Sequence, residues 1–409
     1  MNKKKNKFKT NYKILIFLLF NLFLNVKLYA NDLNENIFNL FNINNSFQLI
    51  DTLKVKDFSF NNIFSSSANT IFTVVHNSNH NIDIDNNTDT DNSTIDTNES
   101  KYISPESFLY ADTRRYILTG GTPLKITRIK PVEFSIFAGL FTGILILQHE
   151  LQMNTIWKEH SSKFRIIEDA KYSIYIDKPG HAYGSYIISY IFREALVSSG
   201  FSWNSSNNIG AALGLGYSTY IEILDGFGEN WGFSPSDWYA DLVGAAFFAA
   251  QNYVPFLQNF SPKFMYFPAE WFGHTSRIPH DLMNDDYASQ TFFLSINVYN
   301  LLPEKIKKYY PEWLELSIGY AVRNILAANS EAGKDKVPCS ECISLEPNNY
   351  GSPRLILSLD YNLVKLLPDG CNFWNWCKQS LNLFKLPSPA LEIGKVTRFY
   401  LLFPFKLNL

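Results

Sequence analysis

The sequence predicts an α+β protein: a small-residue-rich four-helix bundle over about 130 to 255, membrane-associated, followed by a β-rich C-terminal part. Apolar runs of helical length recur between 131 and 253, and they carry Gly210, Gly214, Gly216, Gly244, Ala245, Ala246, Ala249 and Ala250. Small residues at that density let helix backbones approach closely, as they often do in membranes. After Pro262 the apolar period shortens to two, as in Leu314-Glu315-Leu316-Ser317-Ile318-Gly319 and Leu357-Ser358-Leu359-Asp360. Composition agrees. Charged residues make up 18% of 409, against about a quarter in soluble domains, so part of the surface faces lipid or a partner. The net charge of −2 gives no basic face and argues against nucleic-acid binding.

The N-terminus reads as a signal peptide over 1–30. Lys3, Lys4, Lys5, Lys7, Lys9 and Lys13 precede an apolar stretch from Ile14 to Val26, and Leu28-Tyr29-Ala30 offers a cleavage site. No Cys follows that stretch, so a lipid-modified N-terminus is not expected. The mature chain is expected in the periplasm or outer membrane. Residues 31–105 form an Asn-rich spacer, too polar around His80 to Ser100 to offset the entropy of ordering.

The helical region is expected over 106–262. Phe134 to Leu147 is nearly continuously apolar behind Pro131, yet shorter than the ~20 residues of a bilayer span. His149-Glu150 lacks a second His four residues on, where Met153 stands, which excludes a zinc-protease helix. Further helices are expected over Pro179–Ser199, Ile209–Leu224 and Ser234–Tyr253, the last opened by a Ser234-Pro235-Ser236-Asp237 capping pattern. In the β-rich region, 263–409, strands are expected at Thr291–Val298, Trp313–Tyr320, Arg354–Tyr361 and Leu391–Leu402. Leu409 is not the terminal aromatic of an outer-membrane barrel, which leaves barrel closure open. Cys339, Cys342, Cys371 and Cys377 most simply form two disulfides in an exported chain, with a structural zinc site or free thiols as alternatives.

Function concentrates between Asp177 and Gln251. From Glu194 to Pro262 there is no Lys, Arg or His, yet Glu194, Glu222, Asp225, Glu229, Asp237 and Asp241 are acidic. Buried, such carboxylates require a distant cation, a metal or a proton. Helical spacing sets Ser218, Glu222 and Asp225 on one stripe, Asp237, Asp241, Gly244 and Gln251 on a second, and His181, Ser185 and Ser189 on a third. If the stripes face each other, Asp177, His181, Glu222, Asp225 and Asp237 suit a divalent metal, and His181 with Glu222 suit acid–base work. Simpler roles compete: Asp237 as a helix cap, Asp225-Gly226 as a turn, Lys178 as partner of Asp177 or Glu222, and His181 as a hydrogen-bonded core residue.

The run Asp177-Lys178-Pro179-Gly180-His181-Ala182-Tyr183, with Ile221-Glu222-Ile223-Leu224-Asp225-Gly226-Phe227, Trp231-Gly232-Phe233-Ser234 and Ser236-Asp237, resembles the YfiM-like family of predicted periplasmic proteins of unknown function. The resemblance extends over roughly 115 to 400. Asp241 departs from it where Asn is usual, and Gly228 where Ser is usual. An Asn there implies a hydrogen-bonding position rather than an ionised one. The order Asp-Lys-x-x-His, helical Glu, then Asp is also similar to VanZ-like membrane proteins over a shorter stretch. Neither resemblance implies a reaction. The sequence therefore supports a non-catalytic membrane-associated binding or structural protein in contact with envelope lipid. A metal-dependent hydrolase acting on a lipid-linked envelope substrate is the alternative.

Overall fold

Four long helices dominate the first half of the described chain: α1 (Pro131–Asn154), α2 (Asp177–Ser198), α3 (Trp203–Asp225) and α4 (Pro235–Tyr253). The structure, a computed structural model, describes residues 101–405 apart from 155–156, 158–162, 230, 273, 275–285, 326–339 and 347–348. The expected signal peptide, nearly all of the Asn-rich spacer and Cys339 lie outside the described residues.

Local chemistry sets the helix ends. Ser234 caps α4 by accepting from the Asp237 backbone N–H at 3.3 Å, with Pro235 at the first helical position. Ser202 caps α3 in the same way through the Ser205 N–H, which starts that helix at Trp203 rather than at Ile209. The apolar run from Phe134 belongs to a helix of 24 residues that continues through Gln148-His149-Glu150 to Asn154. Among the described residues it is the one helix long and apolar enough to cross a membrane, which corrects the expectation of a run too short to span.

Helices α2, α3 and α4 pack mutually, and glycines set how closely. A Cβ on Gly214 would stand 3.0 Å from the Ser185 carbonyl oxygen, and one on Gly244 would stand 2.0 Å from the Ala182 carbonyl oxygen. Gly216 faces open space. Helix α1 leans on this trio along one face, with Phe141 against Phe192 (centroids 4.2 Å apart) and His149 Nδ1 2.6 Å from the Tyr220 hydroxyl. Its opposite face exposes Val132, Ile136, Leu140, Ile144, Leu147 and Leu151.

A short hairpin, β1 (Leu109–Tyr110) and β2 (Thr113–Arg114), precedes the helices. Beyond them runs an antiparallel sheet of β3 (Phe260–Tyr266), β4 (Gln290–Ile296), β5 (Leu314–Arg323), β7 (Asn349–Tyr361), β8 (Ser388–Ile393) and β9 (Arg398–Phe403), in that order, with β6 (Ile343–Glu346) paired to β7. The run Leu391–Leu402 is therefore two strands, turning at Gly394-Lys395-Val396-Thr397. Strand β3 was not anticipated, because Pro262 reads as a breaker. It lies at a sheet edge, where proline is tolerated. Helices and sheet share one apolar cluster containing Ile174, Ile176, Tyr183, Phe272, Phe292 and Val322.

The glycine contacts give a direct test. Gly244→Ala should destabilise the protein by about 1–3 kcal/mol through overpacking. Gly216→Ala should be neutral or stabilising by up to ~1 kcal/mol from helix propensity. Thermal melts of the two variants check the contrast, and equal melting temperatures would contradict it.

Candidate metal centre

Helix α2 enters the site directly from a left-handed turn at Ser173, Ile174 and Tyr175, with φ of 49°, 57° and 63°. That conformation is costly for a β-branched residue. It is held by burial of the Ile174 and Ile176 side chains and by the Tyr320 hydroxyl, which donates to the Ile174 carbonyl at 2.7 Å. The turn delivers Asp177 and Lys178 into the first turn of α2, and His181 follows one turn later on the same face. Glu222 of α3 and Asp237 and Asp241 of α4 meet it there.

The imidazole of His181 has carboxylates on both nitrogens. Nε2 lies 3.5 Å from Asp177 Oδ1 and 3.7 Å from Asp237 Oδ1. Nδ1 lies 3.3 Å from Asp241 Oδ1 and 3.7 Å from Glu222 Oε1. The two sides differ in charge. On the Nε2 side the Lys178 ammonium bonds Asp177 at 3.0 Å, Asp169 at 2.7 Å and also Asp237, and the Tyr287 hydroxyl donates to Asp177. On the Nδ1 side no ammonium is present among the described residues. Glu222 accepts from the Ser234 backbone N–H at 3.2 Å, and Asp241 Oδ2 is buried with no hydrogen-bond partner.

Electrostatics follow that asymmetry. Burial opposes the charge on Asp177, but His181, Lys178 and the Tyr287 hydrogen bond prevail and hold its carboxyl well below the usual range. Burial also disfavours charge on His181, and its carboxylate neighbours, Asp177 first, override it and raise the imidazole well above its ordinary value. Glu222 goes the other way: burial, reinforced by Asp237, Asp225 and Asp241 and opposed by His181, pushes it up to about 9. Burial likewise raises Asp241, against hydrogen bonds from His181 and Ser218.

The structure thus brings Asp177, His181, Glu222 and Asp237 together, with Asp241. Asp225 stands apart. It accepts from Trp157 Nε1, burial pushes its carboxyl up to about 7, and it belongs to neither group whose ligand atoms lie within 4.8 Å of one another. Those groups are Asp177, His181 and Asp237, and His181, Glu222 and Asp241. Donors about 2.1 Å from an ion stand roughly 3–3.5 Å apart, close to the spacings here. Lys178 pairs with Asp177 and not with Glu222. Ser185 and Ser189 serve packing: Ser189 Oγ donates to the Ser185 carbonyl at 2.7 Å beneath Gly214. Gln251 ties α4 to β3 through the Phe260 carbonyl, at 2.7 Å.

Asp169, Tyr287 and Trp157 were missed, because each comes from an irregular segment that no periodicity marks. The cysteines take no part in the site. Cys342 is disulfide-bonded, whereas Cys371 and Cys377 are free thiols. Among the described residues Cys371 and Cys377 therefore form no second disulfide.

Comparison with known proteins now bears on the same stretch. Residues 167–253 match the family DUF2279, described as a predicted periplasmic lipoprotein. The match spans α2, α3 and α4 and therefore every residue on His181, and it is narrower than the roughly 115–400 of the YfiM-like resemblance. It supports an uncharacterised periplasmic family and agrees with the cell-envelope localisation read from the N-terminus. No curated protein and no solved structure matches the chain.

The shifts fix a pH dependence for the metal-free protein. Glu222 is raised from 4.5 to about 9, so folding takes up a proton between those values and stability falls as pH climbs through them. His181 adds the same sign: its stabilisation is complete below the ordinary value of 6.5 and fades as pH rises toward its raised folded value. Asp177 acts oppositely, and its contribution is lost only as pH falls below its ordinary 3.8. Denaturant midpoints should therefore decline from about pH 5 to about pH 9, and Glu222→Gln should flatten the decline. A midpoint rising over that range would contradict the assignment.

Proposed function

We propose that this is a membrane-associated binding protein of the cell envelope, whose packed helices hold one divalent cation on His181 Nδ1, Glu222 and Asp241. The observation that carries the reading is the uncompensated side of the imidazole. Two carboxylates face Nδ1 without an ammonium among the described residues, and one oxygen of the 1%-exposed Asp241 has no hydrogen-bond partner. A cation there would relieve the burial that now favours protonation of Glu222.

Asp177, Asp237 and Lys178 then act from outside the ligand set. A metal-bound imidazole characteristically gives its other N–H to a carboxylate, which fixes ring orientation and raises basicity. Asp177 is placed for that on Nε2, itself steadied by Lys178 and Tyr287. One imidazole and two carboxylates suit zinc or manganese. The apolar stripe of α1 supports association with envelope lipid. The motif residues shared with the YfiM-like family lie within the segment matching the periplasmic family, which supports a related role.

The hydrolase reading draws on one feature, the partial exposure of the His181 side chain, at 22%. Metal analysis of the purified mature protein, equilibrated with zinc and manganese, tests the proposal. One equivalent per chain is expected. Glu222→Gln should weaken binding by about 10-fold or more, while Asp225→Asn should retain it. Absence of bound metal in the wild type, or unchanged affinity in Glu222→Gln, would contradict it.

A further inference from the structure

We infer that the outer face of the C-terminal sheet is seated in the hydrocarbon of a lipid bilayer. This goes beyond the cation site and shares no residue with it. Strand residues alternate between two faces, and an antiparallel sheet in water turns its apolar set to the core and its polar set to solvent. Here the outward set is apolar as well.

The inward set combines an apolar cluster, with Phe293, Ile356, Ala390 and Tyr400, with buried ions. Lys263 is 1% exposed and donates to Glu315 at 3.0 Å, with Asp360 at 3.1 Å. Lys385 stands 3.5 Å from Asp360, Ser317 bonds Ser358 at 2.6 Å, and Arg354 and Arg398 converge on Glu341. The outward set is aliphatic. Leu294, Ile318, Leu357, Leu391 and Phe399 are cross-strand partners in one continuous row over β4, β5, β7, β8 and β9, and every one is exposed. None of the exposed positions of this parity, Leu294, Leu316, Ile318, Leu355, Leu357, Leu359 and Leu391, is charged.

Three further features point to lipid rather than to a protein as the occupant. The row offers no charge or hydrogen-bonding group with which a protein partner could be oriented, whereas hydrocarbon needs none. An outward aliphatic face is a feature of membrane strands, which carry amphipathic aromatics at the boundary; Trp313 and Tyr361 pair at one end of β5 and β7, centroids 6.2 Å apart. Hydrocarbon does not tolerate bare strand edges. The free edge of β3 is bonded at Phe264, whose N–H donates to Leu383 O at 3.2 Å and whose carbonyl accepts from Lys385 N at 2.8 Å. The exposed stripe of α1 supplies a second apolar surface on another element.

Spin labelling tests this in the full mature chain. Nitroxides are attached at Ile318→Cys and Leu357→Cys on a Cys371→Ser, Cys377→Ser background, and the protein is reconstituted with phosphatidylethanolamine–phosphatidylglycerol vesicles. Relaxation by oxygen should exceed that by a water-soluble nickel chelate at both positions. Ile318→Glu with Leu357→Glu should float in a smaller fraction than the parent, with α1 holding the remainder, while retaining the parent's circular dichroism. Labels relaxed mainly by nickel would show a solvated face and overturn the inference. Labels reached by neither agent would show a face covered by a second copy or another protein, and failure of the parent chain to float would overturn it equally.

Discussion

A single imidazole answers for four carboxylates, and the helical half of the protein is arranged around that imbalance. Helices α3 and α4 bring Glu222, Asp237 and Asp241 to the interior and carry no basic residue of their own. All local positive charge comes from α2, as Lys178 and His181, one turn apart at its N-terminal end. Lys178 satisfies one side of the ring and cannot also serve the other. The unequal division between Nε2 and Nδ1 therefore leaves uncompensated the side on which the proposed cation would sit. Removing either partner from a buried network leaves a charge uncompensated, so the cluster constrains the packing of the three helices as much as it equips them for binding.

Close helix approach makes the convergence possible. A Cβ on Gly244 would overlap the Ala182 carbonyl, next to His181, and one on Gly214 would strike Ser189. Larger residues at these places would hold α4 and α3 away from α2, and the carboxylates would no longer reach the ring. The small residues that read as a membrane signature thus serve packing, and the exposed apolar surfaces lie elsewhere, on α1 and the outer face of the sheet.

Much of this was legible because it is periodic. The 3.6-residue spacing placed Glu222 one turn before Asp225, Asp237 one turn before Asp241, and Asp177 one turn before His181, and the Ser234 cap fixed the start of α4. What could not be read came from outside the periodic segments. Tyr287 reaches Asp177 from a loop 110 residues away, Asp169 and Trp157 sit between helices, and nothing in the helical stripe excluded Asp225 from the cluster. The sheet shows a different limit. Alternation in Leu314-Glu315-Leu316-Ser317-Ile318 marks a strand without saying which set faces inward, and here Glu315 and Ser317 do. The β8–β9 turn was hidden because apolar residues continue on both sides of Gly394-Lys395.

The account stands most directly on the chemistry of the two His181 nitrogens, and nitrogen NMR of histidine-labelled mature protein, with His181→Gln to assign the resonance, reads both. In the metal-free protein the ring should stay doubly protonated well above its ordinary value of 6.5. On addition of zinc, Nδ1 alone should move to the shift of a ligated nitrogen while Nε2 keeps its proton toward Asp177. A ring that titrates near its ordinary value, and whose nitrogens are unmoved by zinc, would contradict the account.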